Sequence, residues 1–379
     1  MLIVIAPDSF KECLSATEVA ESIMRGILRI APDAEIRKIP MADGGEGTVE
    51  ALVAATGGQI HQMNTLDPLM RPIIAKYGVL GNVEVAVIEM AAASGLALVE
   101  PENRNPLKTS TYGTGLMIKH ALEQGFKRII LGIGGSATND GGAGMAQALG
   151  FQLLDSKGNE IAPGGGNLHQ IAKIDGSNKN PMLANLQITV ACDVTNPLCG
   201  PYGASAIFGP QKGANTQMVT QLDTALGHFA EIISRDLQRE VADFPGAGAA
   251  GGLGAGLMAF TNATLAPGFQ IISDLTNLED SIANCDLVFT AEGRIDHQTQ
   301  FGKTPIGVAK LARKYNKPLI ALAGSVGSGT DELHELGITA IFSIANGPIS
   351  MEESMTNAPS LLEKKAEQVM RLFFANGLS

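Results

Sequence analysis

The chain has 379 residues, 45% hydrophobic and 17% charged, which is apolar enough for a sizeable buried core and rules out global disorder. Its formal net charge of −11, with no Lys/Arg-rich run to offset it, excludes a nucleic-acid backbone binder, so an anionic ligand would need locally focused donors. Cys13, Cys192, Cys199 and Cys285 form no C-x-x-C pair and the histidines no H-x-x-x-H, so neither a disulfide framework nor a zinc site is expected.

Residues 2–6 are a short continuous apolar run, the pattern of a parallel strand covered on both faces. No basic segment precedes the run and Asp8 interrupts it, so it reads as a strand and not a signal peptide; a cytoplasmic protein is expected. Ser15-Ala16-Thr17-Glu18 is a capping box, and Val19, Ile23, Ile27 and Ile30 then share one helix face. A second strand is expected over 34–39 and a helix over 47–56, closed by Gly57-Gly58. Residues 78–89 alternate as a hairpin around Gly81-Asn82. A helix over 112–124 and a strand over 128–133 lead into a glycine loop, a helix ending at Gly150, and strands over 151–154 and 186–191. The uncharged stretch 244–273 is too broken by Pro245, Pro267 and glycines to span a membrane. Strands over 287–290, 318–322 and 339–344, with helices over 305–315 and 361–376, restore the α/β rhythm.

The expected fold is α/β with two domains. Residues 1–70 plus 270–379 would form a discontinuous doubly wound, flavodoxin- or Rossmann-like domain, with a mixed α/β domain inserted over 71–269 and the ligand site in the cleft between them. One continuous α/β domain is the alternative.

Four strand ends carry carboxylates: Asp8-Ser9, followed by Lys11; Asp43 with Glu46; Asp193 with Asn196; and Glu292, followed by Arg294 and Asp296. One acidic strand end is a common helix cap. Four together, interleaved with Lys11, Arg294 and Lys303, suit phosphoryl transfer, which needs carboxylates for Mg²⁺, cations for phosphate oxygens and a base near the attacking hydroxyl. The loop over 132–142, with Gly134, Gly135, Ser136, Thr138, Asn139 and Asp140, follows a strand and precedes a helix, where backbone amides hold a phosphate or a carboxylate. It also fits G-x-G-x-x-G/A with Asp155 ending the next strand, so an NAD(P)-dependent oxidoreductase is a rival, although Asn139-Asp140-Gly141-Gly142 stand where the helix should open. A non-catalytic sugar-acid sensor is a second rival.

Gly302-Lys303-Thr304 ends like a P-loop, but His297 occupies the place of its first glycine; Thr304 is instead expected to cap a helix with Pro305 in its first turn. The glycine cluster over 246–256 admits two readings, a helix built for close backbone approach or a ligand contact. Lys212, in the turn-rich segment 205–214, is expected on the rim of the cleft.

In order along nearly the whole chain, the blocks over 6–11, 42–48, 132–142, 193–214, 244–256 and 290–296 resemble the type I glycerate kinases of bacteria. The resemblance implies transfer of a phosphoryl group from ATP to D-glycerate with Mg²⁺ as the ion; charge and the broken 244–273 stretch already argue against nucleic-acid and membrane partners. It implies 2-phosphoglycerate as product, with phosphorylation of the 3-hydroxyl as the alternative. In that setting Asp193 is the expected base and Lys11 a catalytic cation. Asp43, Glu46 and Asp296 are the candidate Mg²⁺ ligands. Asp8, Ser9, the 134–140 loop, Asn196, Arg294 and Lys303 would hold glycerate or phosphate.

Overall fold

The computed structural model describes residues 1–42, 44–81, 83–300 and 304–375. The strands are β1 (Leu2–Ile5), β2 (Glu35–Lys38), β3 (Gln59–Leu66), β4 (Pro72–Val79), β5 (Ala86–Glu89), β6 (Arg128–Gly132) and β7 (Gln152–Leu154). They continue as β8 (Lys173–Asp175), β9 (Gln187–Ala191), β10 (Ala263–Ala266), β11 (Leu287–Ile295), β12 (Leu319–Val326) and β13 (Ala340–Ser343). Two compact units contain them: Met1–Asp43 with Glu50–Gly57 and Phe269–Ser379, and Gly44–Val49 with Gly58–Gly268.

The first unit holds a five-stranded parallel sheet in the order β13-β12-β11-β1-β2. Counted along this unit alone the order is 2-1-3-4-5, the flavodoxin-like doubly wound arrangement, in which the order reverses between β1 and β11. Ile3, Val4 and Ile5 of β1 and Leu287, Val288 and Phe289 of β11 are fully buried, as strands covered on both faces require. One covering layer pairs helix Ala16–Leu28 with helix Ala358–Ala375 through Ile23, Ile27, Ala366 and Met370. Gly26 permits the close approach: a Cβ there would stand 2.1 Å from the Glu363 carbonyl oxygen. The capping box is complete, with Glu18 N–H donating to Ser15 Oγ at 3.3 Å and Ser15 N–H to Glu18 Oε2 at 2.9 Å. Ser15→Ala is expected to cost about 1 kcal/mol, read as a fall in the urea midpoint.

The second unit holds a six-stranded sheet in the order β10-β9-β6-β5-β4-β3. Strands β5, β6, β9 and β10 are parallel, and β4 and β3 continue antiparallel to the edge. The expected hairpin is present between β4 and β5, with Gly78 opposite Val87; Asn82 lies outside the described residues. β3 gave no sequence signal because QIHQMNTL is an edge strand exposed along most of its length, so it has no apolar face to alternate. The 22-residue helix Thr216–Leu237 also went unread, although Leu222, Ala225, Leu226, Phe229, Ile232 and Ile233 mark one face of it. Among the described residues no helix is long and apolar enough to cross a membrane.

The glycine cluster serves close backbone approach. Helix Ala249–Phe260 begins with Ala250, Gly251 and Gly252 at φ 53, 70 and 88°, and the 132–142 loop lies against it. A Cβ on Gly251 would sit 2.0 Å from the Thr138 carbonyl oxygen, and one on Gly256 would sit 2.4 Å from that of Gly141. Gly141 N–H donates to the Gly251 carbonyl at 3.0 Å, so the two glycine segments are joined directly.

Candidate active site

In the first unit the chain leaving β1 keeps following β11. Ala6 N–H donates to Phe289 O and Asp8 N–H to Ala291 O, both at 2.8 Å. Asp8 is thereby drawn into the unit, 8% exposed. Its Oδ1 accepts Ser9 N–H at 2.7 Å, and its Oδ2 accepts the Thr304 hydroxyl at 2.8 Å. Thr304, expected as the cap before Pro305, is instead the first residue of helix Thr304–Lys314, and its hydroxyl ties that helix to the β1 loop. Lys303 lies outside the described residues.

Beyond Glu292 on β11, Arg294 Nε donates to Asp296 Oδ2 at 2.8 Å and Gln298 N–H to Asp296 Oδ1 at 2.9 Å. The Arg294 side chain is 68% exposed and so open to an anion from solvent, while it pairs with Asp296, whose side chain is only 10% exposed. Asp8, Ser9, Lys11, Glu292 and Arg294 together line a cavity of about 720 Å³. It opens at the carboxyl ends of β1, β11, β12 and β13, where doubly wound sheets hold their ligands.

In the second unit the short segment Gly44–Val49 lies across the carboxyl ends of β5, β6 and β9. Gly134 N–H donates to Gly44 O at 3.4 Å, a Cβ on Gly44 would stand 2.5 Å from the Ala191 Cβ, and Glu89 Oε1 accepts Val49 N–H at 2.8 Å. Glu89 was not singled out from the sequence; its only signal there was a place at a strand end. Glu46 is exposed on this segment, and Asp43 lies outside the described residues. Asp193 follows the end of β9, exposed, with Oδ1 accepting Gly268 N–H at 3.0 Å. Asn196 turns its amide to the Tyr202 carbonyl at 2.8 Å.

The 132–142 loop divides sharply. Gly134 and Gly135 reach the surface, whereas Ser136 is 7% exposed and Thr138, Asn139 and Asp140 are fully buried. Asp140 is enclosed by protein donors: Thr111 N–H at 2.8 Å, the Thr111 hydroxyl at 2.9 Å, and Gly142 and Gly144 N–H at 3.2 Å each. Burial pushes its carboxyl above the ordinary carboxylate range, and these donors partly offset that. Asp140 therefore organises the loop in this structure.

Lys212 corrects the rim expectation. It is 1% exposed and lies beneath the loop, its Nζ donating to Ser136 Oγ at 2.6 Å and to the Thr138 carbonyl at 2.7 Å. Removal from water pushes its pKa down to about 7, with Asp140 pulling the other way. Close by in sequence, the buried Thr138 Oγ1 and Asn139 Oδ1 have no hydrogen-bond partner among the described residues.

The dinucleotide reading loses its geometry as well. The helix after the loop starts only at Ala143, and Asp155 spends its Oδ1 on Lys157 and Asn159 N–H at 2.8 Å each, closing a turn. Among the described residues no group of three His, Cys, Asp or Glu is placed to hold a metal ion on protein ligands alone. A Mg²⁺ ion of a phosphoryl-transfer site needs only one or two carboxylates, because the nucleotide phosphates complete its shell, and the exposed Glu46 carboxylate is of the type it takes.

Comparison with known proteins agrees with this picture. The model of the glycerate kinase family matches residues 3–374. A glycerate kinase of Halalkalibacterium halodurans is 52% identical over 97% of both chains, and a glycerate 2-kinase of Escherichia coli is 53% identical over 94% of both. A crystal structure assigned as glycerate kinase 2 from Salmonella typhimurium LT2 superposes with a TM-score of 0.91 over 100% of both chains, at 52% identity. With its whole core matched in sequence and in fold, the chain belongs to the glycerate kinase family.

Proposed function

We propose that the protein transfers the γ-phosphoryl group of ATP to the 2-hydroxyl of D-glycerate, giving ADP and 2-phosphoglycerate in the cytoplasm, where ATP is supplied. The observation that carries the phosphoryl-transfer reading is the cavity at the reversal of the parallel sheet, with Lys11 and Arg294 beside the carboxylates Asp8 and Glu292. Family membership carries the acceptor, and the 2-kinase relative favours the secondary hydroxyl over the primary one.

In this reading the hydroxyl oxygen bonds to the γ-phosphorus as the bridge to the β-phosphate breaks, and the hydroxyl proton passes to the Asp193 carboxylate. Gly134, Gly135 and Asn196 position glycerate; Ser9, Lys11, Arg294 and Lys303 meet phosphate oxygens. Asp43, Glu46 and Asp296 are the carboxylates offered to Mg²⁺, which when bound neutralises charge on the β- and γ-phosphates. Ser136, Thr138, Asn139 and Asp140 act from below, by fixing where Gly134 and Gly135 stand.

Proton-coupled ³¹P NMR of a reaction with ATP, Mg²⁺ and D-glycerate tests both halves of the proposal. A phosphate on the secondary carbon couples to one vicinal proton and gives a doublet; one on the primary carbon couples to two and gives a triplet. A doublet with ADP is the expected result. A triplet would move the phosphate to the 3-position, and absence of ADP would remove the kinase assignment.

A further inference from the structure

The cavity in the first unit has a second wall that phosphate chemistry does not use. Ile344, Pro348, Ile349, Met351 and Met355, from the end of β13 and the segment after it, face the cavity that Lys11 and Arg294 also line. Two apolar side chains of the lining remain exposed, Met351 at 74% and Val326 at 41%, whereas Ile344 is buried. An apolar wall that stays wet is the surface a flat, poorly hydrated ring would cover.

Glycerate does not match this wall. Every carbon of that three-carbon acid carries oxygen, so it has no apolar face to bury, and a cavity of about 720 Å³ is far larger than it needs. An adenine nucleotide matches both walls, with an apolar base at one end and a polyanion at the other. Ser343 and Ser354, also in the lining, add hydroxyls to it.

We propose that this cavity is the nucleotide site, with the adenine ring against Ile344, Ile349, Met351 and Met355 and the triphosphate directed toward Lys11 and Arg294. The site lies wholly within the first unit, whose cavity lining comes from 8–13 and 292–358. The proposal rests on the phosphoryl-transfer reading above and adds to it where the donor binds.

The chain contains no tryptophan, so one introduced indole is an unambiguous reporter. Met351→Trp, at the wet rim, is expected to change its emission saturably with ADP or ATP·Mg²⁺ and to ignore D-glycerate. Ile74→Trp, on an exposed position of β4 in the other unit, should stay silent to the nucleotide. Met355→Ala, with circular dichroism confirming the fold, should raise KM for ATP about tenfold or more and leave KM for glycerate within about twofold. Ser354→Phe, which fills the cavity from its wall, is the second variant if the first does not fold. An unresponsive Met351→Trp, or a rise in KM for glycerate alone, would overturn the site. A responsive reporter in an enzyme that forms no phosphoglycerate would instead uphold the site and overturn the acceptor.

Discussion

Asp193→Ala is expected to lower kcat by about 10²–10⁴-fold, the range a positioned base contributes. The carboxylate stands beyond the end of β9, exposed, and its Oδ1 is held by the Gly268 amide at 3.0 Å. That bond also gives it a structural duty, since Gly268 opens helix Gly268–Thr276. Alanine would remove base and anchor together, at about 0.5–2 kcal/mol for the lost cap. Asp193→Asn separates the two. Its amide oxygen can still accept the Gly268 N–H, so thermal stability should stay close to wild type, while loss of the proton acceptor should keep kcat low. KM for ATP should change little. Near-normal turnover in Asp193→Asn would take the base role away from this residue, and a fall in kcat matched by a fall in melting temperature would assign it to the scaffold.

What the sequence made legible follows the range of the interactions involved. β1 and the capping box at Ser15 depend on neighbours a few residues away, and both were readable. Asp8 and Asp193 were also legible as residues just past the ends of strands, whereas β11 runs on to Ile295 and carries Glu292 within it. What escaped depends on partners far along the chain. Lys212 meets Ser136 and Thr138 across separations of 76 and 74 residues, and nothing near Lys212 announces that a lysine is to be buried. Glu89 holds the Val49 amide across 40 residues. Thr304 marked the start of a helix in the sequence, yet its hydroxyl bonds to Asp8 across 296 residues, a partner that nothing near Thr304 announces. Asp140 shows a different limit. A carboxylate in a glycine loop reads as a ligand group, and only the four donors around it turn it into a loop organiser.

The buried lysine should make the stability of the second unit depend on pH, and Lys212→Met should abolish that dependence. In the unfolded chain a lysine keeps its proton up to about pH 10.4. In the folded chain Lys212 releases it near 7, because its ammonium is cut off from water. Between those values the unfolded state binds more protons, so stability rises with pH, by up to about 1.4 kcal/mol per unit. As pH falls through 7 the gain is lost. Asp140, the charged neighbour that opposes this shift, runs the other way: its carboxyl is raised, so its contribution is fullest below the unfolded carboxylate value and is lost as pH climbs through the folded one. Urea midpoints for wild type should therefore climb from pH 7 to 9, and Asp140→Asn should retain the climb. Lys212→Met should be flat. At pH 9 it should also lie well below wild type, because Ser136 Oγ and the Thr138 carbonyl lose their donor, at about 1–3 kcal/mol for each group left unsatisfied. Near pH 6 the curves should converge, since wild type there bears the cost of a buried ammonium that methionine does not. If KM for glycerate rises in Lys212→Met while KM for ATP holds, the lysine acts by setting Gly134 and Gly135 for the acceptor; if the pH slope survives the substitution, the titrating group lies elsewhere.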